Sequence, residues 1–327
     1  NSGQRTGRVT TADGVTFSEK REYDEFGRLA KIVSGSDIVT YAYNTKNQLV
    51  TRTTNGIAVR YSYTKLGQLA AKSIAGMEDT ASLKYFYDKD GTISGREVGG
   101  VKQSYKYDKI GQLLAVVDPA GNEVEKYVYD PAGNILSKTV AGKTTTYTYD
   151  KANQLVSSKN ADGKVTKYEY DAAGRMVKEG KKTFAYGWLD KVMQVAENGK
   201  TTQSYSYDIS GQLATADYGD SKETFLWDGL ALLSRNNLKY VNEPAVTGGN
   251  PILAGDKMLF DDMLGNTLGV KDGEKFSAID RDAFGELSPG EKPNLAVNFF
   301  TGKPEIDNLG YSFLFRNYRA DLGKWQI

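Results

Sequence analysis

Tyr127-Val128-Tyr129-Asp130-Pro131-Ala132-Gly133-Asn134-Ile135 is one copy of a pattern that this 327-residue chain repeats along most of its length. Two aromatics stand two apart and an Asp follows. A Gly comes four residues after the second ring, and an aliphatic comes six after it. The aromatic pairs are Tyr41/Tyr43, Tyr61/Tyr63, Tyr85/Tyr87, Tyr105/Tyr107, Tyr127/Tyr129, Tyr147/Tyr149, Tyr168/Tyr170, Phe184/Tyr186, Tyr205/Tyr207 and Phe225/Trp227, with a degenerate copy at Arg21/Tyr23. Copies are mostly 20 to 22 residues apart, with one step of 24 and one of 16. A fixed period of this size marks an array of one small unit.

Residues two apart share a face of a strand, so each pair specifies one face, while the residue between them varies freely. The turn slot four residues on holds Gly27, Asn47, Gly67, Gly91, Gly111, Gly133, Asn153, Gly174, Asp190 or Gly211. Gly, Asn and Asp reach positive φ most cheaply, so the slot reads as a left-handed turn position. Ala231 breaks the rule in the last copy and marks the end of the regular array. The residue after the second aromatic is Asp in eight copies, a side chain that closes turns by accepting backbone N–H groups. A second turn signal lies midway: Asn55-Gly56, Gly99-Gly100, Ala120-Gly121, Ala141-Gly142, Asp162-Gly163 and Asn198-Gly199. Each repeat is therefore two strands and two turns. One hairpin cannot bury an aromatic face alone, so neighbours pair edge to edge. The expected fold is all-β: one long antiparallel sheet wound as a spiral or an open barrel.

Composition narrows the function. Cys and His are both absent, which removes disulfides, thiolate chemistry, His-based triads and His or Cys zinc sites. Net charge is +1, with no basic stripe for a nucleic-acid backbone. No membrane span is expected, because no apolar run approaches eighteen residues. Hydrophobic residues are 39% and tyrosines number 22, which fits a sheet curved around a cavity better than a thick aliphatic core. No Gly-x-Gly occurs, so no dinucleotide fingerprint exists, and no cofactor is expected. The opening Asn1-Ser2-Gly3-Gln4-Arg5 falls partway into a repeat and reads as part of a longer protein.

The organisation expected is an array over 1–235 of about eleven repeats, a segment over 236–298 that continues the sheet, and a final unit over 299–327. Residues 238–257, with Pro244, Gly248, Gly249, Pro251 and Gly255, read as a loop-rich connection. Strands are expected to resume at 258–260, 277–279, 297–300 and 311–315.

The run Tyr23-Asp24-Glu25-Phe26-Gly27-Arg28-Leu29 resembles the YD repeat of bacterial RHS proteins and animal teneurins. The later runs Tyr240-Val241-Asn242-Glu243-Pro244, Asp262-Met263-Leu264-Gly265-Asn266 and Asp282-Ala283-Phe284-Gly285 are similar to the approach to the RHS-associated core. Phe315-Arg316-Asn317-Tyr318-Arg319-Ala320-Asp321-Leu322-Gly323-Lys324-Trp325 is similar to its opening. The resemblance implies a hollow β-shell, secreted or at a bacterial cell surface, that encapsulates a C-terminal cargo or toxin of the same parent protein. It also implies that the parent self-cleaves at an aspartyl motif following Ile327. No catalytic residue is carried onto this chain, and Arg316 and Arg319 receive no catalytic role.

Two other readings stand beside the shell. Aromatic rows stack sugars, which makes Tyr105, Tyr127 and Tyr147 a candidate glycan platform and a cell-surface glycan a candidate partner. The acidic pairs Asp261/Asp262 and Asp280/Asp282 invite acid–base chemistry, but their place in turn motifs assigns them to turns.

Overall fold

The computed structural model describes residues 4–12, 15–245, 248–288 and 294–326, and among them 33 strands. The one helical element described is a 3-10 turn, Trp188–Asp190. Twenty-eight strands form one sheet. In it each strand pairs antiparallel with its sequence neighbours, from Gly7–Ala12 through to Lys275–Ala278. Five further strands, from Phe299–Phe300 to Lys324–Gln326, make a second small sheet.

The repeat turn shows why the pattern is written as it is. Gly133 N donates to Asp130 O, and Asp130 N donates to Asn134 O. The Asp130 carboxylate then accepts the amides of Ala132 and Asn134 at 2.9 and 2.8 Å. Gly133 closes the turn at φ 84°, and a Cβ there would lie 3.1 Å from Gln112 Nε2. Positive φ is found at every slot residue: Gly27, Asn47, Gly67, Gly91, Gly111, Gly133, Asn153, Gly174, Asp190 and Gly211. Asp262 and Asp282 hold their turns in the same way, each accepting amides two and four residues on.

A register shift falls at the second aromatic of repeat after repeat, for instance between Val128 and Tyr129 and between Ser62 and Tyr63. Such bulges bend a strand and raise its twist, and here they curl the ribbon. The coil meets its own start: Arg5 and Arg8 both pair with Asp228, at the end of the twenty-second strand. At the usual strand spacing one circuit is roughly 100 Å.

Four of the six midway turns carry positive φ at both residues: Asn55-Gly56, Gly99-Gly100, Ala141-Gly142 and Asn198-Gly199. The other two are built differently. Asp118 and Asn160 each donate and accept across four residues as Asp130 does, so Ala120-Gly121 and Asp162-Gly163 belong to the Asp-type turn.

The segment read as loop-rich contains two strands, Leu238–Glu243 and Asn250–Ala254, and Thr267–Asp272 is a further strand that the sequence reading did not place. Asn250–Ala254 is buried at every residue, and Lys257–Asp261 at all but its first. Strands covered on both faces show no alternation to read. Nor is the interior thinly packed. Ile252, Met258 and Phe260 pack against Ile32, Val59 and Ile74 of the array. Leu259, Phe299 and Leu322 join a second cluster with Tyr147, Tyr168 and Tyr205. The later quarter of the chain thus packs against the inner face of the array.

Candidate functional site on the inner face of the sheet

The two aromatics of a repeat do different work on one face. The second is a clasp. The hydroxyls of Tyr43, Tyr63, Tyr107 and Tyr149 donate to the backbone carbonyls of Leu29, Leu49, Ile93 and Ile135, at 2.8 to 2.9 Å. Each acceptor is the return-strand aliphatic of the preceding repeat, so the clasp crosses from unit to unit. Trp227 Nε1 makes the same bond to Leu213 O. A second tie runs along the turns, where Gln68 Nε2 donates to Gly91 O and Gln212 Nε2 to Gly229 O.

The first aromatic faces a slot on the return strand: Tyr41 opposite Arg52, Tyr61 opposite Lys72, Tyr127 opposite Lys138, Tyr168 opposite Glu179. These slots hold charges, buried at Arg52, Lys72 and Lys138 and largely buried at Glu179, and each meets the later part of the chain. Arg52 pairs with Glu243 at 3.0 Å, and Lys72 with the Asp261 carboxylate. Lys138 lies between Asp282 and Glu286, 2.5 Å from each. Arg319 reaches Glu179 with two bonds of 3.0 and 2.9 Å and also holds Asp321. Burial pushes the Asp321 carboxyl up, but Arg319 more than offsets this and holds it below the usual range. Burial raises Glu286, with Lys138 opposing, and it raises Asp262 against the pull of its turn amides.

Two cavities lie between the sheet and the inner strands, on either side of the Asp262–Gly265 turn. The smaller, about 280 Å³, is lined by Tyr85, Arg96, Tyr105, Glu125 and Arg281. The larger, about 600 Å³, is lined by Tyr41, Tyr61, Lys72, Glu243 and Asp261. Burial raises the Glu125 carboxyl, partly countered by the Tyr127 hydroxyl and the Ala283 amide. Among the described residues no group of three or more Asp or Glu is placed to hold a metal ion.

The turn residues Gly27 through Gly211 sit at the sheet's margin, away from both cavities' chemistry, except that Asp190 pairs with Arg175. Of the three tyrosines named as a stacking platform, Tyr105 lines the smaller cavity. Tyr127 is 1% exposed and packs edge-on against Phe284, 4.9 Å between centroids. Tyr147 is buried too, its hydroxyl on Asp321 O. Both rings are covered by other parts of the chain. Arg316 stacks on Trp325 at 4.0 Å. Asp280 bonds Ser288.

A coiled antiparallel ribbon whose aromatics clasp the preceding unit is a β-shell of YD repeats. Residues 75–226, a little under half of the chain, match the family model described as Teneurin YD-shell. Searched against curated proteins, the sequence gives no match. Solved structures similar to it include TcdB2–TccC3 with TEV, at 14% identity and TM-score 0.66, covering 96% of this chain and 20% of that one. The Photorhabdus luminescens Tc holotoxin pore matches to the same extent. TcdB2–TccC3 without its hypervariable C-terminal region gives 0.68 at 14% identity, with the same coverage. This chain thus spans about a fifth of the length of the chains it matches, and the likeness at that identity is one of fold. Among the described residues no helix is long and apolar enough to cross a membrane.

Proposed function

We propose that this shell carries a polypeptide cargo, a C-terminal toxin or similar segment of its own parent protein, in a secreted or surface-exposed bacterial protein. Its role is steric: the sheet keeps the cargo from the surroundings, and no residue of the chain acts in catalysis. The observation that carries the reading is the coil meeting its own start at Arg5, Arg8 and Asp228, with its specified face turned inward. The similar structures support it, since TccC3 is seen with TEV, with Cdc42 and without a hypervariable C-terminal region. A fixed shell with an exchangeable end is what a carrier requires. In this reading residues 236–298 continue the sheet of the shell along its inner side, and residues 299–327 open the core that seals it. Any self-cleavage belongs to the parent protein.

Limited proteolysis of the parent protein tests this. The segment that follows the shell should survive digestion until the shell is unfolded with denaturant. Digestion of that segment at the rate of an unfolded control, with the shell intact, would overturn the reading.

A further inference from the structure

We propose that the larger cavity is a binding site for an extended, uncharged stretch of polypeptide bearing an apolar side chain; the source of that peptide, the carried cargo, rests on the shell reading above. At about 600 Å³ the cavity is of the size that encloses a small ligand. Leu49 and Leu69 form its wall on the sheet side, and Met263 and Leu264 face them. Those two are 43% and 60% exposed, so an apolar lip lines the mouth.

Buried polar atoms nearly always have partners. Here two groups do not: the Tyr41 hydroxyl and Thr301 Oγ1. Tyr41 and Thr301 line the cavity. Arg52 stands opposite Tyr41 across the strand pair, with its ion-pair partner Glu243 on the cavity wall. Both unpartnered atoms are hydroxyls, which donate as well as accept, so an occupant that brings acceptors satisfies them. It cannot bring net negative charge, because Glu243, Asp261 and Asp262 face the same space and Lys72 is already bonded to Asp261. Peptide carbonyls are uncharged acceptors, and the Glu243 carboxylate takes amide hydrogens in return. Sugars fit less well. The hydroxyls of Tyr43 and Tyr63 are committed to the Leu29 and Leu49 carbonyls, so sugar hydroxyls would lie unpaired against leucine and methionine.

Calorimetric titration of the whole chain with three compounds tests the site: the capped tripeptide acetyl-Leu-Phe-Leu-amide, its all-Glu counterpart, and maltose. The apolar peptide should bind and the acidic one should not. Tyr41→Phe keeps the ring and should weaken binding about fivefold, the loss of one ordinary hydrogen bond. Leu264→Asp, at an exposed position, should weaken it about tenfold or more while thermal melting stays unchanged. No binding of the apolar peptide to the folded chain overturns the proposal, as does maltose binding that responds to Tyr41→Phe. Cargo protected from protease without peptide binding removes this site and leaves the shell. Peptide binding without protection does the reverse.

Discussion

Strand Lys143–Tyr149 buries only one residue fully and leaves every second side chain outside, whereas Lys257–Asp261 buries all but its first. The first belongs to the array and the second to the strands inside it, and they hold together by different physics. Array strands rely on many identical, local, individually modest bonds, the clasps and turn carboxylates. The inner strands rely on a few long-range, fully desolvated contacts, where a single lost partner leaves a charge or a void. Redundancy belongs to the ribbon and specificity to what it wraps.

That contrast can be broken most forcefully by alkali. Burial raises the tyrosines of the array: Tyr105, Tyr168 and Tyr186 are pushed up to about 12 from an ordinary 10.0. With folded values above unfolded ones, their contribution is complete below pH 10 and is lost as pH climbs through the folded values. Thermal melts should hold steady up to pH 10 and fall sharply above it, with tyrosinate absorbance appearing together with unfolding. Tyrosinate forming near pH 10 in a folded chain would show that the rings are not buried as a set.

Single substitutions then sharpen the comparison. Arg319→Leu removes the cation from the largely buried Glu179 and from Asp321, whose side chain is 43% exposed, and should cost about 3 kcal/mol in denaturant titration. Leu259→Ala, in an inner strand, should cost about 2–5 kcal/mol. Val128→Ala, on the outer face of the array and 44% exposed, should change stability by no more than about 0.5 kcal/mol. Equal losses at those two sites would erase the distinction. Asp130→Ala removes a carboxylate that accepts two turn amides and should lower the denaturant midpoint by less than Leu259→Ala does. Tyr63→Phe deletes one clasp among many and should cost about 0.5–1.5 kcal/mol by the same measurement.

The array was legible because its grammar is local. Asp130 and Gly133 announce their turn within four residues, and Tyr127 with Tyr129 announces a face. The clasp was also written there and went unread. The first aromatic slot admits Phe184 and Phe225, but the second holds only Tyr or Trp, always a ring with a donor. The slot opposite the first aromatic likewise holds Arg52, Lys72, Lys138 and Glu179 on a face otherwise apolar, a sign that something charged lies across from it. What that something is could not be read. Lys72 and Asp261 are 189 positions apart, and no short-range pattern joins them. Leu238–Glu243 and Asn250–Ala254 were missed because Pro251 and the glycines around it suggested a loop, while the apolar run Met258-Leu259-Phe260 read as a strand but gave no orientation.

The spacing of partners along the chain also sets an order of assembly. Tyr63 reaches back 14 residues to Leu49, while Lys72 waits for a carboxylate 189 residues downstream. Short closures cost little entropy and long ones cost more. During synthesis the ribbon can therefore coil unit by unit as it leaves the ribosome, with its inward charges still wet. The last quarter then threads into a mould already made, and only that late arrival dries the Arg52, Lys72 and Lys138 slots.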